Sequence, residues 1–126
     1  MKYLIDSSAW IEYLEGSEAG EKVHKILKEN NEIFIVSIII AEVISKVKRK
    51  GLNTELAYES IIKNSNILDL SPKICKEAGL LHAELKNKQR SLSLADALII
   101  TSTRKLNAKL ITKDADFKPF SNVIII

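Results

Sequence analysis

Apolar positions along the chain fall into two kinds of pattern. Short runs rich in β-branched residues occur at Lys2 to Ile5, Ile33 to Val36, Ile67 to Leu70, Leu110 to Thr112 and Val123 to Ile126. Continuous runs of this length predict strands buried on both faces. Between them lie longer segments with helical spacing, clearest where Ile74, Ala78, Leu81 and Leu85 recur on one face. Further helices are expected near Ala9 to Leu14, Glu18 to Glu29, Ile38 to Lys50, Thr54 to Lys63 and Leu94 to Leu106, with Gly51 and Asn107 suited to ending two of them. Strands joined by helical crossovers imply a three-layer α/β/α sandwich around a mostly parallel central sheet of about five strands. In such sheets ligand sites form beyond the carboxyl ends of the strands.

Length and composition narrow the class. At 126 residues, 46% hydrophobic and 28% charged, the chain predicts one globular domain over residues 1–126. Its longest apolar runs, Ile33 to Ile40 and Leu94 to Thr101, fall far short of the ~20 residues that span a bilayer. The amino terminus reaches Asp6 without a signal-like apolar stretch, so a cytoplasmic protein with no membrane association is expected. Four scattered glycines exclude a phosphate-cradling glycine loop. With Cys75 the single cysteine and His24 and His82 isolated, no thiolate zinc site can be built, and any metal has to be held mainly by oxygen. Cys75 and His82 read as packing residues, and Trp10, Tyr3 and Tyr13 as core or dimer-interface aromatics. Net charge is +3, with the basic excess in the second half. That balance is compatible with a polyanionic partner without requiring one.

Five acids are poorly placed for mere solubility. Asp6 directly follows the first strand, where it is either a site residue or a helix cap. Glu42 interrupts Ile38-Ile39-Ile40-Ala41-Glu42-Val43-Ile44, and burying it unpaired would cost several kcal/mol unless the helix turns that position to solvent. Asp96 follows Ser93 by three residues, which also fits a capping box. Asp114 and Asp116 follow the fourth strand, where turn-forming aspartates are common. One parallel sheet would nevertheless gather these acids at one edge. Four carboxylates about 5 Å apart would repel by roughly 3 kcal/mol per pair at an effective dielectric near 20. Six such pairs would exceed a typical domain stability of about 5–15 kcal/mol, so a convergent cluster would have to take up protons or cations. Mg²⁺ or Mn²⁺ suits an all-carboxylate site, and such ions can activate water for attack on a phosphodiester.

Four motifs, Leu4-Ile5-Asp6-Ser7-Ser8, Ser37 to Glu42, Leu94-Ala95-Asp96-Ala97-Leu98-Ile99 and Leu110-Ile111-Thr112-Lys113-Asp114-Ala115-Asp116-Phe117, resemble the PIN-domain family along the whole chain. In size the chain is similar to the VapC-type toxin ribonucleases. The resemblance implies that Asp6, Glu42, Asp96 and Asp114 form a metal-binding catalytic centre, with Asp116 an auxiliary acid and Ser7 and Thr112 supporting hydroxyls. It also implies Mg²⁺ or Mn²⁺ dependence, RNA as substrate, a homodimer and a small VapB-type antitoxin. Lys86, Lys88, Arg90 and Arg104 are candidates for holding RNA. Lys46, Lys48, Arg49 and Lys50 read first as cations at a helix carboxyl end and second as a phosphate site. Lys113 is assigned no role. Alternative readings are a housekeeping RNA-processing nuclease, a non-catalytic metal- and RNA-binding module, and a phosphatase or phosphoacceptor domain. The last is disfavoured because no second acid stands beside Asp6.

Overall fold

The computed structural model describes residues 1–88 and 92–126, so the expectation for Arg90 lies outside the described residues. Five strands, β1 (Lys2–Ile5), β2 (Glu32–Val36), β3 (Asn66–Leu68), β4 (Lys109–Thr112) and β5 (Val123–Ile125), form one sheet in the order β3-β2-β1-β4-β5. Every pairing is parallel, with Leu4 beside both Phe34 and Leu110. The strands expected from the sequence are all present. Burial on both faces holds best at the centre, where Leu4, Ile5 and Ile111 have no exposed surface, and fails at the edge strand β3, where Ile67 is exposed. An edge strand has a neighbour on one side only, so fewer of its side chains are covered.

Among the described residues six helices complete the layers: α1 (Ser7–Glu15), α2 (Glu18–Lys28), α3 (Ser37–Arg49), α4 (Thr54–Asn64), α5 (Pro72–Leu85) and α6 (Leu94–Leu106). Helix α1 packs on α2 and α3, α3 packs on α4, and α5 pairs with α6. The right-handed rule for parallel crossovers puts α1–α4 on one face of the sheet and α5–α6 on the other. A Lys105–Glu77 ion pair joins the end of α6 to the first half of α5, and Thr101 and Leu81, one turn from each, line the same cleft, so these two helices run antiparallel. The helix stops follow from local chemistry. Asn107 adopts φ 53° after α6, and Gly51, at φ +72°, donates its N–H to the Lys48 carbonyl to close α3. Trp10 is fully buried and meets Tyr13 edge-on at 5.8 Å, which makes it a core aromatic. Cys75, expected to pack, is exposed. The buried side of α5 is the Ile74 and Ala78 face, and the next residue along is rotated about 100° away from it. Among the described residues no helix is long and apolar enough to cross a membrane.

Candidate active site

The strand order turns back at β1, whose neighbours are β2 on one side and β4 on the other. At such a switch point the connections leave in opposite directions and open a crevice beyond the strand ends. Asp6 leaves β1 there, and Asp114 follows β4 by two residues. Helix α3 starts directly after β2, which puts Glu42 in its second turn, and Asp96 lies in the first turn of α6. One sheet edge thus gathers acids from four separate segments.

Asp6 is only 3% exposed, yet every carboxylate oxygen is engaged. Its Oδ1 accepts from Ser8 Oγ at 2.7 Å and from the Ala9 N–H at 3.0 Å, capping α1, and its Oδ2 accepts a short hydrogen bond from Thr112 Oγ1. Burial raises its pKa above the ordinary aspartate value, an effect opposed by these three donors and reinforced by the charge of Asp114. Capping and site readings are therefore both true of this residue. Ser8 ties the constellation together, because its hydroxyl also accepts from the Lys113 N–H at 2.9 Å. Thr112 Oγ1 in turn accepts from the Asp114 N–H at 3.0 Å. The sequence points to Ser7 and Thr112 but not to Ser8, whose place in the first turn of a helix capped by Asp6 is the available signal.

Glu42 is half-buried, and its pKa too is raised, first by burial, then by the charge of Asp96, with Asp6 adding to the effect. Lys46, one turn along the same helix, and the Ser7 hydroxyl oppose the shift. Its Oε1 is buried and has no hydrogen-bond partner among the described residues. Asp96 completes a capping box, accepting the Ser93 N–H at 3.1 Å while its own N–H donates to Ser93 Oγ. Asp114 caps the 3₁₀ turn Ala115–Phe117 by accepting the Asp116 N–H at 2.9 Å.

Among the described residues no three acids close on one point as a finished metal cage. The physical reason is visible in the caps: Asp6, Asp96 and Asp114 each turn oxygens toward backbone N–H groups of their own segments. The acids are instead linked in pairs, Asp114 acting on Asp6, and Asp6 and Asp96 on Glu42. A donor set of carboxylates and hydroxyls with an orphaned buried oxygen fits an open oxygen site for a hard divalent cation that keeps some of its waters. Of the expected RNA contacts, Lys86 and Lys88 directly follow α5, and both precede α6 and Asp96 in the chain. Arg104 does not join them. It stands two turns beyond Asp96, about 12 Å along α6 toward the opposite sheet edge, beside Asn107 and Phe120.

Two expectations follow from this geometry. Thr112→Val keeps the side-chain shape but deletes the hydroxyl shared by Asp6 and Asp114. Affinity for a divalent cation is expected to fall roughly 10- to 100-fold, as for other groups that orient ligands, with a melting temperature lowered by the loss of about 1–2 kcal/mol. Protonation gives the second. In the metal-free protein Asp6 and Glu42 bind protons more readily folded than unfolded, so their burial costs stability as pH rises above the ordinary carboxylate range. Glu12 behaves oppositely, because Lys113 holds its pKa low and its contribution is lost only at lower pH. Melting in EDTA is therefore expected to show Glu42→Gln more stable than wild type near pH 7.5, with the gap shrinking toward about pH 5. A gap that widens on acidification would contradict the assignment.

A parallel α/β/α sandwich with acids from four segments at its switch point belongs to the class of proteins that build an oxygen-rich site on a sheet edge. The PIN domain model matches residues 3–122, and the chain belongs to the PIN domain family. Ribonuclease VapC11 of Mycobacterium tuberculosis is 28% identical over 125 residues, spanning 95% of this chain and 92% of that protein. The crystal structure of VapBC2 from Rickettsia felis bound to a DNA fragment from their promoter superposes with a TM-score of 0.76 at 27% identity, covering 100% of this chain and 98% of that one. A toxin-antitoxin complex from Klebsiella pneumoniae shares the fold with a TM-score of 0.76 at 24% identity, over 97% and 95% of the two chains.

Proposed function

We propose that this chain is an endoribonuclease that cuts RNA phosphodiester bonds with a divalent cation, Mg²⁺ or Mn²⁺, held at the β1–β4 switch point. Asp6, Glu42, Asp96 and Asp114 would hold the ion, with Asp116 as an auxiliary acid. When bound, the cation lowers the pKa of an attacking water and stabilises the departing oxygen. The chain's own groups prepare the site. Ser8, Thr112 and the Ala9 N–H hold the Asp6 carboxylate in one orientation, and the capping box fixes Asp96. Ser7 favours the charged form of Glu42. The single observation that carries the reading is the buried, unpartnered Glu42 Oε1 among acids that repel it, an arrangement that costs stability and is relieved by a cation.

Similar proteins include a VapC ribonuclease and chains from toxin-antitoxin complexes, which supports a toxin role in the cytoplasm, inhibited by a small VapB-type antitoxin and acting as a homodimer. The test is cleavage of a mixed RNA pool by purified protein in EDTA, Mg²⁺ or Mn²⁺, with Glu42→Gln alongside. Cleavage that requires metal and is lost in the variant is expected. Equal degradation by both proteins would remove Glu42 from the mechanism.

A further inference from the structure

A basic cleft of about 370 Å³ opens beside the acids, lined by Ser8, Glu12, Lys46, Arg49, Lys50 and Lys113. Its cations come from α3, from the Lys50 cap that follows it and from the residue after β4, so the fold, and not the run of lysines alone, assembles it. Lys113 Nζ donates to Glu12 Oε1 at 2.7 Å, and Lys50 pairs with Glu15, so α1 holds two of the four cations in place. The other two are less committed. Among the described residues Arg49 uses its Nε on the Ser45 carbonyl at 3.3 Å, which leaves the guanidinium fork's remaining N–H donors available. Lys46 is in no ion pair within 4 Å among the described residues, although its charge acts on Glu42 one turn away.

Two residues join this cleft to the acidic centre: Ser8, which lines it and donates to Asp6, and Lys46, whose charge reaches Glu42. An acidic centre repels the phosphates of its own substrate, so a strand crossing it needs cations immediately beyond. We propose that the Lys46–Arg49–Lys50–Lys113 cleft binds the sugar-phosphate backbone of the RNA strand next to the bond that is cut, with Lys46 and Arg49 making the direct phosphate contacts. The proposal rests on the ribonuclease reading of the adjoining acids. It also replaces the expectation that these cations only complement the end of α3, because Lys113 is not on that helix.

The test is binding of a fluorescent single-stranded RNA by the full chain in EDTA, over a range of salt, for wild type, Lys46→Gln/Arg49→Gln and the charge-keeping Lys46→Arg/Arg49→Lys. Lys48→Gln, on the same helix but outside the cleft, is the control. The double glutamine variant is expected to lose affinity at least about tenfold at low salt, and the slope of log affinity against log salt to fall by about 1.4, the value for two single-strand phosphates. The charge-keeping variant restores most of the binding, and Lys48→Gln matches wild type. In cleavage assays the loss appears mainly in KM. Unchanged affinity and slope in the glutamine variant would overturn the proposal, as would unchanged RNA binding with loss of affinity for a polyglutamate peptide, which would assign the cleft to an acidic protein segment. Failure of wild type itself to bind RNA is a distinct result that would overturn the ribonuclease reading and this proposal together.

Discussion

Asp6→Asn is expected to lose metal-dependent RNA cleavage by roughly 10³-fold, the equivalent of several kcal/mol of lost transition-state stabilisation, while its metal-free form melts above wild type near pH 7.5. The two effects share a cause. Asp6 is buried beside another acid, and burial makes its charge unfavourable in the folded chain. Asparagine keeps an oxygen for the Ala9 N–H and the Ser8 hydroxyl and is an equally good helix cap, so α1 should still form. Its amide would face Thr112 as a donor where the carboxylate is now an acceptor, and the Thr112 hydroxyl can turn to accept it. What disappears is the negative charge, which folding tolerates at a cost and cation binding requires. Parallel melting and cleavage assays check both halves. A variant that cleaves RNA as well as wild type would show that Asp6 is a cap and nothing more.

Gly20→Ala is expected to destabilise the protein by about 3 kcal/mol or more, lowering the melting temperature by about 10 °C. A Cβ at this position would lie 2.1 Å from the Glu12 carbonyl oxygen and 2.8 Å from the Tyr13 Cα. Both are backbone atoms of α1, so no rotamer change relieves the clash and the two helices must separate. Alanine is ordinarily the better helix former by about 1 kcal/mol, which makes the sign of the effect diagnostic. The close approach also serves the site. Helix α1 begins at the Asp6 cap and carries Glu12, which holds Lys113. Displacing it should weaken RNA cleavage as well. Thermal unfolding in EDTA measures the effect, and an unchanged midpoint would mean that α1 and α2 do not pack this closely.

Much of the architecture was legible because each element carried its own signal. The Ile33–Val36 and Leu110–Thr112 runs are continuous and β-branched, and both are central strands. Ser93 and Asp96 announced the start of α6, and Asn107 its end. Glu42 stood out because a charge inside an apolar helical stretch is costly, and the structure leaves it half-buried with one orphaned oxygen, a cost that a bound cation would relieve. Other features had no local signature. Gly20 looks like a weak point of α2 until α1 is packed against it. Lys113 gains meaning only from Glu12 and Arg49, which are distant in sequence. Arg104 was grouped with Asp96 by proximity along the chain, but two helical turns carry it toward the other sheet edge. The aim of the acids was not legible for a related reason: the capping hydrogen bonds that turn Asp6, Asp96 and Asp114 toward their own backbones depend on tertiary placement as well as on sequence.

The central claim is that acids from four segments make one divalent-cation site. Its most direct test is Mn²⁺ titration of the purified chain, followed by electron paramagnetic resonance of the free ion, with Asp6→Asn, Glu42→Gln, Asp96→Asn and Asp114→Asn measured in parallel. Saturable binding by wild type, weakened in every one of the four variants whether or not an RNA target is known, is the predicted result. A wild-type chain that takes up no Mn²⁺ at millimolar concentration, or variants that bind it as wild type does, would contradict the account.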